Sequence, residues 1–259
     1  MNQKKQTGLE AQQLVDERGK LQGVFSTKSV SKVGIGSTQR KTIQKHYFMV
    51  KEIDNEQVEI QFLNKNYVPA GPKRVLDKDE VLEKFSPEPE FYTYTVYPKM
   101  RELQKTIARG ERHRKKGESF SAEFEFNNAL KVDEVNIRAN FGLGLTYLDR
   151  GETGKAEDIF QRLVKLDAAF ESQHKHLFND FGISLRKNKM FDQCLEYYQR
   201  ALELTQEDEH LYHNIARVHL EMGNIKETLQ ALKNALKINP DFAEGKNFLK
   251  YLKQKGYLS

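Results

Sequence analysis

Residues 142–160, GLGLTYLDRGETGKAEDIF, come nearest in this chain to the pattern of a phosphate site. A phosphate loop reads G-x-x-x-x-G-K-[ST], because the first glycine lets backbone N–H groups approach the anion and the last hydroxyl holds its metal ion. Here the first-glycine place is Asp149 and the hydroxyl place is Ala156. A carboxylate at that point repels phosphate. Gly142-x-Gly144 fails as a dinucleotide fingerprint too, since its third glycine place is Tyr147. The segment GSTQRKT (36–42) lacks the glycine that must precede the lysine.

Other reactive groups are few. Cys194 is the only cysteine, so no intrachain disulfide can form and an oxidising compartment is not implied. Its small-residue position predicts a buried, inert thiol. His176, His210 and His213 are residues of the kind that bind zinc or sense pH, and the last two lie one helical turn apart. No fourth ligand is evident, and the expectation is no metal and no cofactor. No nucleophile and base, and no acid pair, stand at catalytic spacing, so an enzyme is not expected.

The elements that must carry these residues follow from charge and periodicity. Net charge is +5 over 259 residues, but residues 1–45 hold nine Lys/Arg against Glu10, Asp16 and Glu17, and the rest holds 33 basic against 34 acidic residues. A basic leading arm, residues 1–22, is expected to be flexible; it is the feature that would attract nucleic acid or an anionic membrane surface. Nothing in the first twenty residues reads as a secretory signal and no apolar run is long enough to span a bilayer, so a cytoplasmic protein is expected.

Small residues recur at a fixed interval. Gly110, Gly144, Gly182 and Ala216 occupy equivalent places; seven residues on come Gly117, Gly151, Lys189 and Gly223, where a first helix should end. Ala122, Ala156, Cys194 and Thr228 follow, then the large Phe126, Phe160, Tyr198 and Leu232, then Ala129, Leu163, Ala201 and Ala235. The middle interval is four residues longer than the others, about one extra helical turn. Each such pair of helices has an apolar face that it cannot bury alone, so neighbours must stack, and FAEGKNFLKYLKQKGYLS reads as a closing helix.

Over residues 99–258 this pattern resembles the tetratricopeptide repeat family. It departs from that family in having no tryptophan and in Lys189, Cys194, Gln206 and Thr228. His113 and His219 stand where the family favours tyrosine, and are expected to pack. The resemblance implies a mainly α protein: an α-solenoid of four helix-turn-helix repeats, about 103–136, 137–170, 175–208 and 209–242, closed by a capping helix at 243–258.

Ahead of it, residues 23–98 read as a small β-containing, α+β module with a Pro/aromatic linker. The Ser/Thr/Lys/Gly-rich 23–42 is expected to be flexible or irregular strand. TIQKHYFMVKEI and QVEIQFL form a hairpin about Asp54-Asn55-Glu56, a short strand runs from Arg74 to Leu76, and Asp77 with Glu80 makes a capping box for a helix through Phe85. Pro87, Pro89 and Pro98 predict that SPEPEFYTYTVYP (86–98) is extended, packed on the module or lying in the protein's own groove. The module is expected to cover the open end of the first repeat.

In the family the concave wall is formed mainly by the first helix of each unit. Carried over by position, that wall takes Ile107, Glu111 and Arg114; Arg138, Phe141, Leu145 and Leu148; His176, Asn179, Ile183, Arg186 and Lys187; and His210, His213 and Arg217. An apolar floor with basic flanks suits an amphipathic, somewhat acidic peptide or helix from another protein. The subclass that grips C-terminal carboxylates is not matched: its places hold Ile107, Glu111, Gly142, His176 and Asp180 in one register and Phe141, Leu145, Asp180, His210 and Asn214 in the next. The function expected is a protein-interaction scaffold or adaptor; nucleic acid or membrane binding through the basic arm is the alternative, with nucleic acid ranked below protein as a partner.

Overall fold

The computed structural model describes residues 19–33, 40–54, 56–204 and 208–257. Most of the basic arm therefore lies outside the described residues. Two compact units are present: one joins the described residues up to Arg109 with Glu125–Asn136, the other joins Gly110–Phe124 with the described residues from Ile137 onward.

The first unit is built on an antiparallel sheet of five strands, β1 (Gln22–Val33), β2 (Arg40–Glu52), β3 (Gln57–Leu63), β4 (Pro69–Asp77) and β5 (Ser86–Pro87), in the order β4-β3-β2-β1-β5. The consecutive apolar residues of β1 and β2 point to opposite faces, and both faces are buried. On one side Phe25, Val50, Val58 and Ile60 meet Val81 of helix α1 (Lys78–Lys84). On the other, Val24, Met49 and Leu63 meet Val96 and the half-buried Phe91, Tyr92 and Met100. The hairpin turns where expected, with Glu56 at φ 55°.

Three expectations change here. Residues 22–33 and 40–42 are regular strand, because β1 and β2 pair residue for residue from Gln22–Lys51 to Val33–Arg40. Asp77 precedes α1 but makes no side-chain cap, and Glu80 instead pairs with Lys84 at 2.8 Å. The 86–98 segment is helical after Pro87: α2 (Pro89–Phe91) starts with its proline at the first position, where no N–H is missed, and a π turn over Tyr92–Val96 leads into α3 (Tyr97–Lys115). In that turn Tyr97 N–H reaches Tyr92 O, five residues back, which shifts the carbonyl row ahead of the Pro98 ring. Phe91 of this segment meets the Tyr47 ring at a tilt, 4.4 Å away, and Tyr67 edge-on at 5.2 Å, so it packs on the module, one of the two placements expected.

The sheet also holds the end of α4 (Ser119–Val132) within this unit. Asn64 and Asn66 each donate a side-chain N–H to Val132 O at 2.8 Å, satisfying a carbonyl that the helix end leaves open.

The remaining helices are α5 (Ile137–Asp149), α6 (Thr153–Leu163), α7 (Lys175–Lys187), α8 (Phe191–Leu204), α9 (Glu209–Glu221), α10 (Ile225–Ile238) and α11 (Ala243–Gln254). With α3 and α4 they form four successive helical hairpins, each closed by the same kind of turn, and α11 follows the last of them. Gly117, Gly151, Lys189 and Gly223 have φ of 76°, 71°, 59° and 81°. In each case the following N–H bonds five residues back, to the carbonyl of His113, Tyr147, Leu185 or His219, at 2.8–3.0 Å.

Small residues sit where paired helices touch. A Cβ on Gly144 would lie 3.0 Å from Ile159 of its partner helix and 2.7 Å from the Phe181 ring of the next hairpin, and one on Gly182 2.4 Å from the Tyr198 hydroxyl. Ala122, Ala156, Cys194 and Thr228 are fully buried behind them. The extra residues of the middle interval form two short 3-10 turns, Asp167–Phe170 and Ser172–His174, in place of an added helical turn. They bring Phe170 within 5.7 Å of Phe178 and 5.4 Å of Tyr197, in a cluster that Phe181 completes.

Candidate interaction surface of the first helices

The first helices of neighbouring hairpins lie side by side and point the same way. At the start of α7, Lys175 Nζ meets Asp208, the residue that caps α9, at 3.2 Å; at the end, Arg186 meets Glu221. The Asp208 carboxylate also accepts from the N–H groups of His210 and Leu211, so one side chain caps α9 and clamps it to α7. Between the end of α3 and α5 the corresponding links are Arg138 to Glu111 at 2.8 Å and Arg114 to Asp149 at 2.9 Å.

These pairings change the charge of the expected groove. Glu111, Arg114, Arg138 and Arg186 neutralise partners in an adjacent hairpin, and only Lys187 and Arg217 of the named cations are exposed with no ion pair among the described residues. Asp149 and Glu221, which sequence reading left out, were visible in principle: each follows its arginine by 35 residues.

The expected apolar floor differs more. Ile107, Phe141, Leu145 and Leu148 are 0–3% exposed, so they line no open surface in this structure. Residues Ala139 to Leu148 are buried without interruption, so this stretch is covered on every face, the hydrogen-bonded Asn140 and Thr146 included. Phe141 meets Phe181 of α7 edge-on at 5.7 Å.

What stays open is the wall of α7 and α9. His176, Lys187, His210 and Arg217 are exposed, while Asn179, Ile183, Arg186 and His213 are half-buried. His210 and His213 set their ring edges against Phe242 at 4.9 and 5.6 Å, and His213 also meets Phe248 of α11 at 5.5 Å. Burial, aided by Arg217, holds the His213 imidazole below its ordinary pKa, against the opposing pull of Glu244. The described residues contain no cluster of three or more His, Cys, Asp or Glu side chains placed to hold a metal ion. Cys194 is buried, and burial pushes its thiol up to about 12, which keeps it protonated and unreactive at neutral pH. No helix among the described residues is long and apolar enough to cross a membrane.

Comparison with known proteins agrees with the helical hairpins. The tetratricopeptide repeat model matches residues 137–170 and 209–242. YpiA of Bacillus subtilis, a TPR repeat-containing protein, is 25% identical over 185 residues, which are 66% of this chain and 43% of YpiA. The mitochondrial import receptor subunit TOM70 of Saccharomyces cerevisiae is 26% identical over 92 residues, 36% of this chain and 15% of TOM70. This chain thus spans less than half the length of either relative. Among solved structures, MamA aligns with a TM-score of 0.43 at 23% identity, over 58% of this chain and 88% of MamA. The α9–α10 hairpin of this wall is one of the two segments that the tetratricopeptide repeat model matches.

Proposed function

We propose that this protein is a protein-interaction scaffold that takes an extended peptide or an amphipathic helix along α7 and α9. Tetratricopeptide repeats generally mediate protein–protein contacts, and relatives include an import receptor subunit and, in Schizosaccharomyces pombe, anaphase-promoting complex subunit 3. The observation that carries the reading is the half-exposed Ile183, set on a wall with exposed Lys187 and Arg217. Apolar burial would supply affinity there, and the two cations would favour a peptide with acidic flanks. A non-catalytic role and a cytoplasmic location belong to the same proposal.

The test is selection of peptides from a random library on the full chain, followed by affinity measurement on the Ile183→Asp, Arg217→Glu double variant. A loss of at least tenfold is expected. Unchanged affinity would remove the wall from the reading.

A further inference from the structure

Beyond the sheet, β1 and β2 continue as a free ribbon. β3 pairs with β2 only from Phe48 to Glu52, and β5 pairs with β1 only at Phe25 and Ser26. From Thr27 to Val33 and from Arg40 to His46 the two strands pair only with each other among the described residues. Seven residues of strand reach about 23 Å.

This ribbon has one sign of charge. From Leu21 to Lys51 the sequence holds Lys28, Lys32, Arg40, Lys41, Lys45 and Lys51 and no Asp or Glu. The register places Lys28 opposite Lys45 and Lys32 opposite Lys41, and the two-residue period of a strand puts all four positions on one face. Like charges directly opposite each other destabilise a sheet. At the base the cost is relieved, because Lys45 forms an ion pair with Glu88. Farther out the sequence supplies no acidic neighbour. Val30 and Ile43 stand opposite each other between the two lysine pairs, and Ile43 is 66% exposed.

We propose that this ribbon binds duplex DNA, with the face that carries the positions of Lys28, Lys32 and Lys41 turned to the phosphates and the Val30–Ile43 position in the major groove. The major groove of B-form DNA, about 12 Å wide, admits a two-stranded ribbon, and its thymine methyl groups accept apolar contacts. A-form RNA has too narrow a major groove for that seating. Single strands call for stacking platforms and membrane surfaces for aromatic anchors, and residues 27–33 and 40–46 contain no Phe, Tyr or Trp. The proposal is independent of the peptide wall on α7 and α9.

Fluorescence anisotropy of the full chain with a labelled mixed-sequence DNA duplex tests it. Three phosphate contacts predict a fall in affinity of roughly 40-fold between 50 and 200 mM salt. The Lys28→Gln, Lys32→Gln, Lys41→Gln variant should bind at least tenfold more weakly, with a shallower salt slope, while arginine at the same three positions should retain binding. A charge-matched variant on exposed helical lysines, Lys226→Gln, Lys250→Gln, Lys253→Gln, should bind as the parent does. The proposal is overturned by absence of duplex binding, by equal loss in the two glutamine variants, by an RNA duplex of the same sequence binding as tightly, or by anionic phosphatidylserine vesicles binding in place of DNA.

Discussion

Arg114 donates from Nε to Asp149 at 2.9 Å, and Arg186 meets Glu221 across the same interval of 35 residues, so one ion pair is built twice between consecutive first helices. The middle step breaks the series, since the arginine place of the second hairpin is Leu148 and the acidic place of the third is Lys187. Both pairs are partly exposed, which limits their worth. A double-mutant cycle on Arg114→Ala and Asp149→Ala should give a coupling of about 0.2–1 kcal/mol that shrinks in high salt. A coupling near zero at low salt would mean that the pair does not hold the two helices together.

Gly182 lies against Tyr198 so closely that an added Cβ would fall 2.4 Å from the hydroxyl and 2.7 Å from Cζ. Gly182→Ala should therefore cost about 1–3 kcal/mol by overpacking. Gly154, in the first turn of α6, has nothing within 4 Å of its would-be Cβ. Gly154→Ala should be neutral or stabilising by up to about 1 kcal/mol. Urea melts of the two variants check the contrast, and similar effects at both sites would rule out the close approach.

Lys189 holds φ 59° where the three equivalent residues are glycines at 71–81°. A side chain in that region costs about 1–2 kcal/mol, part of which glycine gives back through the greater freedom of the unfolded chain. Lys189→Gly should raise stability by about 1 kcal/mol or less. A lowered denaturation midpoint would show that the lysine side chain contributes more than its backbone strain removes.

His213 sits between α9 and α11 with its ring edge on Phe242 and Phe248, facing Arg217 and His210 on its own helix and Glu244 on α11. Burial holds its folded pKa below the ordinary 6.5. A base with a lowered folded pKa is neutral in both states above 6.5, where its contribution is complete. As the pH falls through 6.5 towards the folded value, the unfolded chain binds the proton first and stability is lost. His219, also held low by burial, adds to the same trend. Melting temperature should drop between pH 7.5 and 5, and the drop should shrink in His213→Gln; an identical pH profile in that variant would exclude His213 as the source.

The helical hairpins were legible because their signals are local. A glycine seven residues after a small packing residue ends a helix through bonds spanning five residues, and the four turns at 117, 151, 189 and 223 repeat that geometry whatever surrounds them. Even the lysine that departs from the pattern adopts the same backbone.

Exposure was not legible. Phe141, Leu145 and Leu148 occupy the same helical face as Asn179 and Ile183 in the repeat, yet the former are buried and the latter half-open. Burial depends on what chain-distant elements cover, and no spacing within a helix records it. The same holds for the sheet, where Ser86 and Pro87 pair with residues some sixty positions earlier, and for the helix through Pro98, which a π turn admits. The sequence by itself determined the period of the repeats, their turns and the acid-free run from Leu21 to Lys51. Only the tertiary structure decided which first helices remain open and that four of those lysine positions share one face, because strand register and packing are set by contacts between segments far apart in the chain.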